Sequence, residues 1–147
     1  MFPKETMILS FLHDVQEDYD VSSEEIERLF GTMVADANYK MTKVFREEKK
    51  NEELYFSQLS QCPIASIAKG IDRLHNQSTM DGVFKISKQK EYIIESEKHI
   101  LPMMKNARRN FPQQELAYEN IKLFLRQQVS LFKSMHWSIE NEVKDNI

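Results

Sequence analysis

The sequence predicts an all-α fold, and three observations carry that prediction. Only three glycines and four prolines punctuate 147 residues, too few for the tight turns of a sandwich or barrel. Apolar residues recur at i, i+3, i+4 and i+7 through most of the chain, the period of one buried helix stripe. Hydrophobic residues make up 41% of the chain, enough for one core and short of two, so residues 1–147 are read as a single domain.

The first stripe is Ile8, Phe11, Leu12 and Val15, beside which helical spacing pairs His13 with Glu17 and Asp14 with Asp18. A break follows at Tyr19 to Val21. Ser22 with Glu25 three residues on is a capping box opening a second helix, whose Ile26, Leu29, Phe30, Met33 and Val34 run past Gly31 toward Ala37. Met41, Val44 and Phe45 suggest a third, short helix. The mixed-sign stretch from Arg46 to Glu53 reads as a solvated helix end or loop.

Leu54, Tyr55 and Leu59 begin another helix. Pro63 suits the first turn of the next, where Ile64, Ile67, Ala68, Ile71 and Leu74 keep the period and place Asp72 and Asn76 together on a neighbouring face. Residues 77–86 form a loop, Ser87 caps a long polar helix, Pro102 kinks or ends it, and Phe111-Pro112 marks another boundary. From Pro112 a helix of some 30 residues carries a stripe of Ala117, Ile121, Phe124, Leu125, Phe132, Met135 and Ile139. The count comes to six or seven helices, with no internal repeat or linker.

Charge and cysteine content narrow the function classes. Twenty Lys and Arg against 23 Asp and Glu leave a net charge of −3. With no run of five or six basic residues, a nucleic-acid partner is not expected. The single cysteine, Cys62, excludes an intramolecular disulfide and a cysteine-rich zinc site. No 18-residue apolar run exists, which predicts a cytoplasmic chain with no membrane partner.

An adjacent His-Asp on one helix with a second Asp far along the chain suits a divalent ion, because imidazole and carboxylate together hold Mn²⁺, Fe²⁺ or Zn²⁺. On spacing alone, a surface His beside an Asp at a helix end explains the dipeptide better. The remaining candidates read as packing or surface groups. Met33, Met41, Met103, Met104, Met135 and Trp137 sit at helical spacing, Cys62 reads as a small buried hydrophobe, and His99 and His136 as core-edge or surface residues. Lys105, Arg108 and Arg109 form a small basic cluster at a helix end.

Two segments go further. FLHDVQEDYDVSSEEIERLFG, Phe11 to Gly31, resembles the "HD, two residues, ED" segment of the RelA/SpoT-type guanosine polyphosphate hydrolases, an HD-domain family. KGIDRLHNQSTM, Lys69 to Met80, resembles that family's later Asp-Arg-x-His-Asn motif. The resemblance implies an HD-like helical bundle in which His13, Asp14 and Asp72 hold a metal, Mn²⁺ or another divalent ion. It implies that Glu17 and Asp18 position or activate the attacking water, and that Asn76 and Arg73 contact the nucleotide. The implied reaction is release of pyrophosphate from the 3′ position of ppGpp or a related nucleotide.

The family also carries a further metal-binding His and an Arg-containing nucleotide-contact segment upstream of its His-Asp pair. Only twelve residues precede His13 here, and none is His. The bundle is therefore expected to be N-terminally incomplete, with weakened metal binding and impaired hydrolysis. Part of the first-helix stripe is then expected either to be exposed or to be covered by a partner or by a second copy in a homodimer. A truncated enzyme, a half-site completed by another chain, and a non-catalytic nucleotide-binding or protein-interaction module on the same fold are the alternatives this leaves open.

Overall fold

The computed structural model describes residues 1–45 and 48–144, with side chains described through His136, that of Phe45 excepted. Arg46 and Glu47, and the packing expected of Trp137 and Ile139, lie outside the described residues.

Its centre is the helix that begins at Pro63. Here it is α6 (Pro63–Thr79), flanked by α1 (Pro3–Leu12), α4 (Thr32–Met41), α5 (Glu52–Ser60), α8 (Leu101–Asn110) and α9 (Glu115–Lys144). Pro63 takes the first-turn position where its missing N–H costs nothing. The residues Ile64, Ala65, Ile67 and Ala68 that follow are buried in the main core with Leu9, Tyr55, Leu59, Ile100, Met104, Tyr118 and Leu125. Gly70 allows this packing to close: a Cβ there would run into the Met104 side chain and reach 2.9 Å from Ile121 Cγ2. Tyr118 and Ser66 share a buried hydrogen bond of 2.9 Å across the α6–α9 contact.

The remaining elements are the one-turn α2 (Val15–Asp18), α3 (Ser23–Phe30), a two-residue hairpin of β1 (Val44–Phe45) and β2 (Glu48–Lys49), and α7 (Ile86–Glu95). The fold is thus an all-α, HD-like bundle. Ser22 Oγ accepts from the Glu25 amide at 3.2 Å and Asn51 Oδ1 from the Leu54 amide at 3.1 Å, so two helix starts are fixed by side-chain caps.

Several local expectations are corrected. The helix opened by Ser22 does not run past Gly31: that residue, at φ 87° and ψ 161°, breaks it into α3 and α4, a conformation essentially confined to glycine. Val44 and Phe45 pair with Lys49 and Glu48 as antiparallel strands instead of forming a short helix. Lys85, not Ser87, stands at the start of α7, and Gln89 holds the preceding loop by donating to the Met80 and Phe84 carbonyls. Pro102 does not end the helical run. A π turn over Ser96–Ile100 precedes it and restarts the register, so Pro102 falls in the first turn of α8.

The first-helix stripe is covered only in part. Ile8, Leu12 and Val15 pack on Ile26, Val34 and Ala35 of α3 and α4, whereas Phe11 is 85% exposed and Leu9, outside the predicted stripe, is fully buried. Met33, Phe124 and Met135 are likewise exposed, while Met41, Met103 and Met104 are buried. Cys62 is buried as read from sequence, and burial pushes its thiol pKa up.

Chemical denaturation checks this placement. Leu9→Ala is expected to cost about 2–5 kcal/mol through transfer and cavity terms, while Phe11→Ala stays within about 0.5 kcal/mol. Gly31→Ala is expected to cost about 1–3 kcal/mol, because alanine must be forced into glycine's backbone region.

Candidate functional site

The helical spacing that pairs His13 with Glu17 in the sequence is interrupted in the structure. α1 stops at Leu12, and the chain turns through His13 and Asp14 before α2 begins. Asp14 sits at φ −97° and ψ −4°, in the sparsely populated bridge region where many active-site residues are found. The turn swings His13 toward α6.

On α6, Lys69, Asp72 and Asn76 follow one another at i, i+3 and i+7 and share a face. Asn76 Nδ2 donates to Asp72 Oδ1 at 2.9 Å, and Lys69 Nζ donates to Asp72 Oδ2 at 3.1 Å. His13 Nε2 reaches into this group, 3.5 Å from Asp72 Oδ1 and 3.1 Å from Asp14 Oδ2. Its other nitrogen, Nδ1, lies 2.9 Å from the Ser10 carbonyl. A carbonyl only accepts, so Nδ1 carries its hydrogen and Nε2 is the nitrogen turned to the carboxylates.

These contacts set the charges. The hydrogen bond to Asp72, helped by the Asp14 and Asp72 charges and opposed by burial, raises the His13 pKa above its ordinary 6.5. Burial works against the ionised Asp72 carboxyl, but the His13 hydrogen bond and the Lys69 ammonium outweigh it and hold that group well below the usual carboxylate range. Partial burial raises the Asp14 pKa, with Asp72 and Glu17 adding to the rise and His13 pulling against it. The result is an imidazole lodged between two carboxylates that favour its protonated form.

Among the described residues, no three His, Cys, Asp or Glu side chains stand ready to hold a metal ion. The donor chemistry itself fits. With Nδ1 donating to Ser10, an Nε2 that has lost its proton presents a lone pair beside two carboxylate oxygens, the donor types that suit Mn²⁺, Fe²⁺ or Zn²⁺. A bound ion would have to displace that proton.

The other residues singled out in the sequence are used differently. Glu17 Oε1 accepts from the backbone amides of Lys43 and Val44, the latter at 3.3 Å, and so anchors the hairpin. Asp18 is exposed at the end of α2. Arg73 is buried, its guanidinium paired with Glu95 and lying 4.2 Å over the Tyr92 ring. Arg108 is tied to Glu119 at 2.7 Å. His75 is exposed, and His99 stacks on Phe56 with centroids 4.8 Å apart.

Three participants carry no flag in the sequence reading. Lys69 is visible in retrospect from its i, i+3 spacing to Asp72. Lys43 donates its ammonium to Glu95 at 2.9 Å and Glu52 at 3.3 Å, partners 52 and 9 residues away. Gln16, the buried residue of α2, accepts from Asn38 at 2.9 Å and donates to Ser23 at 3.1 Å. No sequence spacing announces the last two.

Comparison with known proteins points the same way as the two motifs. Over 88 residues, 54% of this chain, it is 35% identical to a probable guanosine-3′,5′-bis(diphosphate) 3′-pyrophosphohydrolase of Synechocystis sp.. It is 38% identical, over an equal share, to a guanosine-3′,5′-bis(diphosphate) 3′-pyrophosphohydrolase of Spiroplasma citri. The aligned stretch is 12% of each relative's own length. No family model and no solved structure matches the chain. These matches establish a sequence relationship to the RelA/SpoT-type HD hydrolases over about half of the chain.

The charge arrangement has a pH signature in the metal-free protein. Asp72, depressed on folding, contributes stability that is present above its ordinary 3.8 and lost as pH falls toward its folded value. His13, raised on folding, contributes stability that is complete below 6.5 and lost as pH rises through its folded value. Urea denaturation in EDTA is therefore expected to show the pair's full contribution between roughly pH 4 and 6.5 and a decline above it, and His13→Asn removes the high-pH part of that decline.

Proposed function

We propose that this chain is a metal-dependent nucleotide phosphohydrolase domain acting on ppGpp or a related guanosine polyphosphate, of reduced activity. The observation that supports this reading most directly is the convergence of His13, Asp14 and Asp72, from segments 58 residues apart in sequence, on one point of the surface. Their donor types suit Mn²⁺, which when bound at such a site polarises a phosphoryl oxygen and lowers the pKa of water.

The chain's own residues supply the rest. The Ser10 carbonyl fixes the His13 tautomer, and Asn76 orients the Asp72 carboxylate. Asp14, half-exposed and raised in pKa, is placed to accept a proton from a water at the site's mouth. Lys69 keeps Asp72 ionised and adds positive charge beside the position a phosphoryl group would take. Glu17 and Asp18 act in this reading as the acidic pair toward the water, Glu17 while also anchoring the hairpin, and Asn76 as a nucleotide contact. Arg73 contributes by holding α6 to α7 through Glu95. Reduced activity is expected because the site's imidazole already faces Asp14 and Asp72, so that an ion must compete with a proton for it.

One observation favours a second reading, a nucleotide-binding or interaction module without catalysis. Lys69 and the His13 imidazolium already neutralise Asp72, so the site is satisfied as it stands.

Calorimetric titration with Mn²⁺ and a pyrophosphate-release assay on ppGpp decide between them. Weak Mn²⁺ binding that releases a proton, vanishes in Asp72→Ala and accompanies slow, EDTA-sensitive hydrolysis is the expected result. Nucleotide binding without Mn²⁺ binding or hydrolysis supports the module, and neither binding nor hydrolysis overturns the hydrolase and the nucleotide-binding form of the module alike.

A further inference from the structure

The surface of α9 turned away from the core is unlike the rest of this chain, of which 29% is charged. From Leu116 to Met135 the charged residues Glu119, Lys122, Arg126 and Lys133 fall, at 100° per residue, on one strip of the helix. Glu119 and Lys122 are paired with one another, and Lys133 with Glu97. The adjoining strip carries Ala117, Asn120, Phe124, Gln127 and Leu131, with Leu116, Leu123 and Met135 at its margins, and has no charge along a length of about 30 Å.

That strip borders a groove. Between α1 and the start of α9 lies an apolar cavity of about 400 Å³, walled by Met7 and Phe11 on one side, Ala117 on the other, and floored by Ile67 and Ile71 of α6. Further along, Leu131 and Met135 line a second cavity of about 420 Å³ against Gln77 and Met80. Met7, Phe11, Ile71, Leu116, Leu123, Phe124, Leu131 and Met135 are each between 43% and 85% exposed. With about 150–250 Å² for a whole aromatic side chain and somewhat less for an aliphatic one, they leave on the order of 800 Å² of apolar side chain in water. The largest apolar patch of an ordinary monomer is about 300–600 Å², whereas one side of a stable protein–protein interface is about 800 Å².

We infer that this α1–α6–α9 face is the contact surface of a homodimer, in which the α9 helices of two copies lie antiparallel about a two-fold axis near Gln127. A two-fold contact sets a patch against itself, so any charge in it meets its own sign. A patch cleared of charge over five turns avoids that repulsion, which is why a second copy fits better than a charged partner. The same chain also supplies both shapes, a ridge at Phe124 and Leu131 and a groove beside it. In the antiparallel arrangement Phe124 of one copy meets Leu131 of the other, and the neutral Gln127 side chains of the two copies meet at the axis.

Sedimentation equilibrium of the full chain tests this. A species of twice 17.4 kDa is expected, with dissociation in the micromolar range or below. Phe124→Glu and Leu131→Glu, both at exposed positions, are expected to raise the dissociation constant at least about tenfold with unchanged circular dichroism. Gln127→Cys is expected to form a disulfide-linked dimer under mild oxidation, whereas Arg126→Cys, on the charged strip, is not. A monomer at all concentrations up to about 500 μM, far above the micromolar range expected of an interface this size, overturns the inference, as does a dimer indifferent to both glutamate variants.

Discussion

Close approach at Gly70 is the constraint on which the remaining structure depends. A helix packed by α1, α4, α5, α8 and α9 has almost no perimeter left, and it accommodates α8 and α9 together only because one position carries no side chain where Met104 and Ile121 arrive. With its packing fixed, the rotational setting of α6 is fixed too. Residues on one edge, Lys69, Asp72 and Asn76, are then presented to the turn after α1. Residues on the next edge, Ile67 and Ile71, are presented to the groove between α1 and α9. One rigid helix thus separates the polar site from the apolar face, and neither can shift without the other.

The polar side is held by ionic contacts of very different exposure. His13, Asp72 and Lys69 are largely shielded, while Asp14 is open to solvent. Beside them, Glu52, Lys43, Glu95 and Arg73 form a chain of alternating charges from α5 across to α7. Lys43 joins the two systems, because its backbone amide caps Glu17 while its ammonium belongs to the second chain. Removing one charge from so connected a set leaves others uncompensated, which is costlier than losing an exposed pair.

Helical periodicity made the class of fold legible, and Pro63, Ser22 and the Phe111-Pro112 boundary located element starts because each acts through its own backbone. Periodicity failed where the outcome was decided across the chain. Phe11 and Phe124 have the right spacing to be buried and are not, since nothing among the described residues packs on those flanks. Gly31 was legible as a glycine but not as a break, because its φ depends on how α3 and α4 meet. The meeting of His13 with Asp72 came from matching two motifs, whereas the Asp72–Asn76 contact came from spacing alone. Lys43 and Gln16 escaped both routes: their partners are set by tertiary packing.

The imidazolium between Asp14 and Asp72 has a consequence for how such a domain changes over evolutionary time. Where a structural ion completes a fold, losing the ion loses the fold. Here the proton on His13 and the ammonium of Lys69 neutralise the carboxylates without any added ion. Under the proposed function, a substitution that weakens ion binding at this site is therefore expected to leave the bundle standing, because its core packing does not draw on the ion.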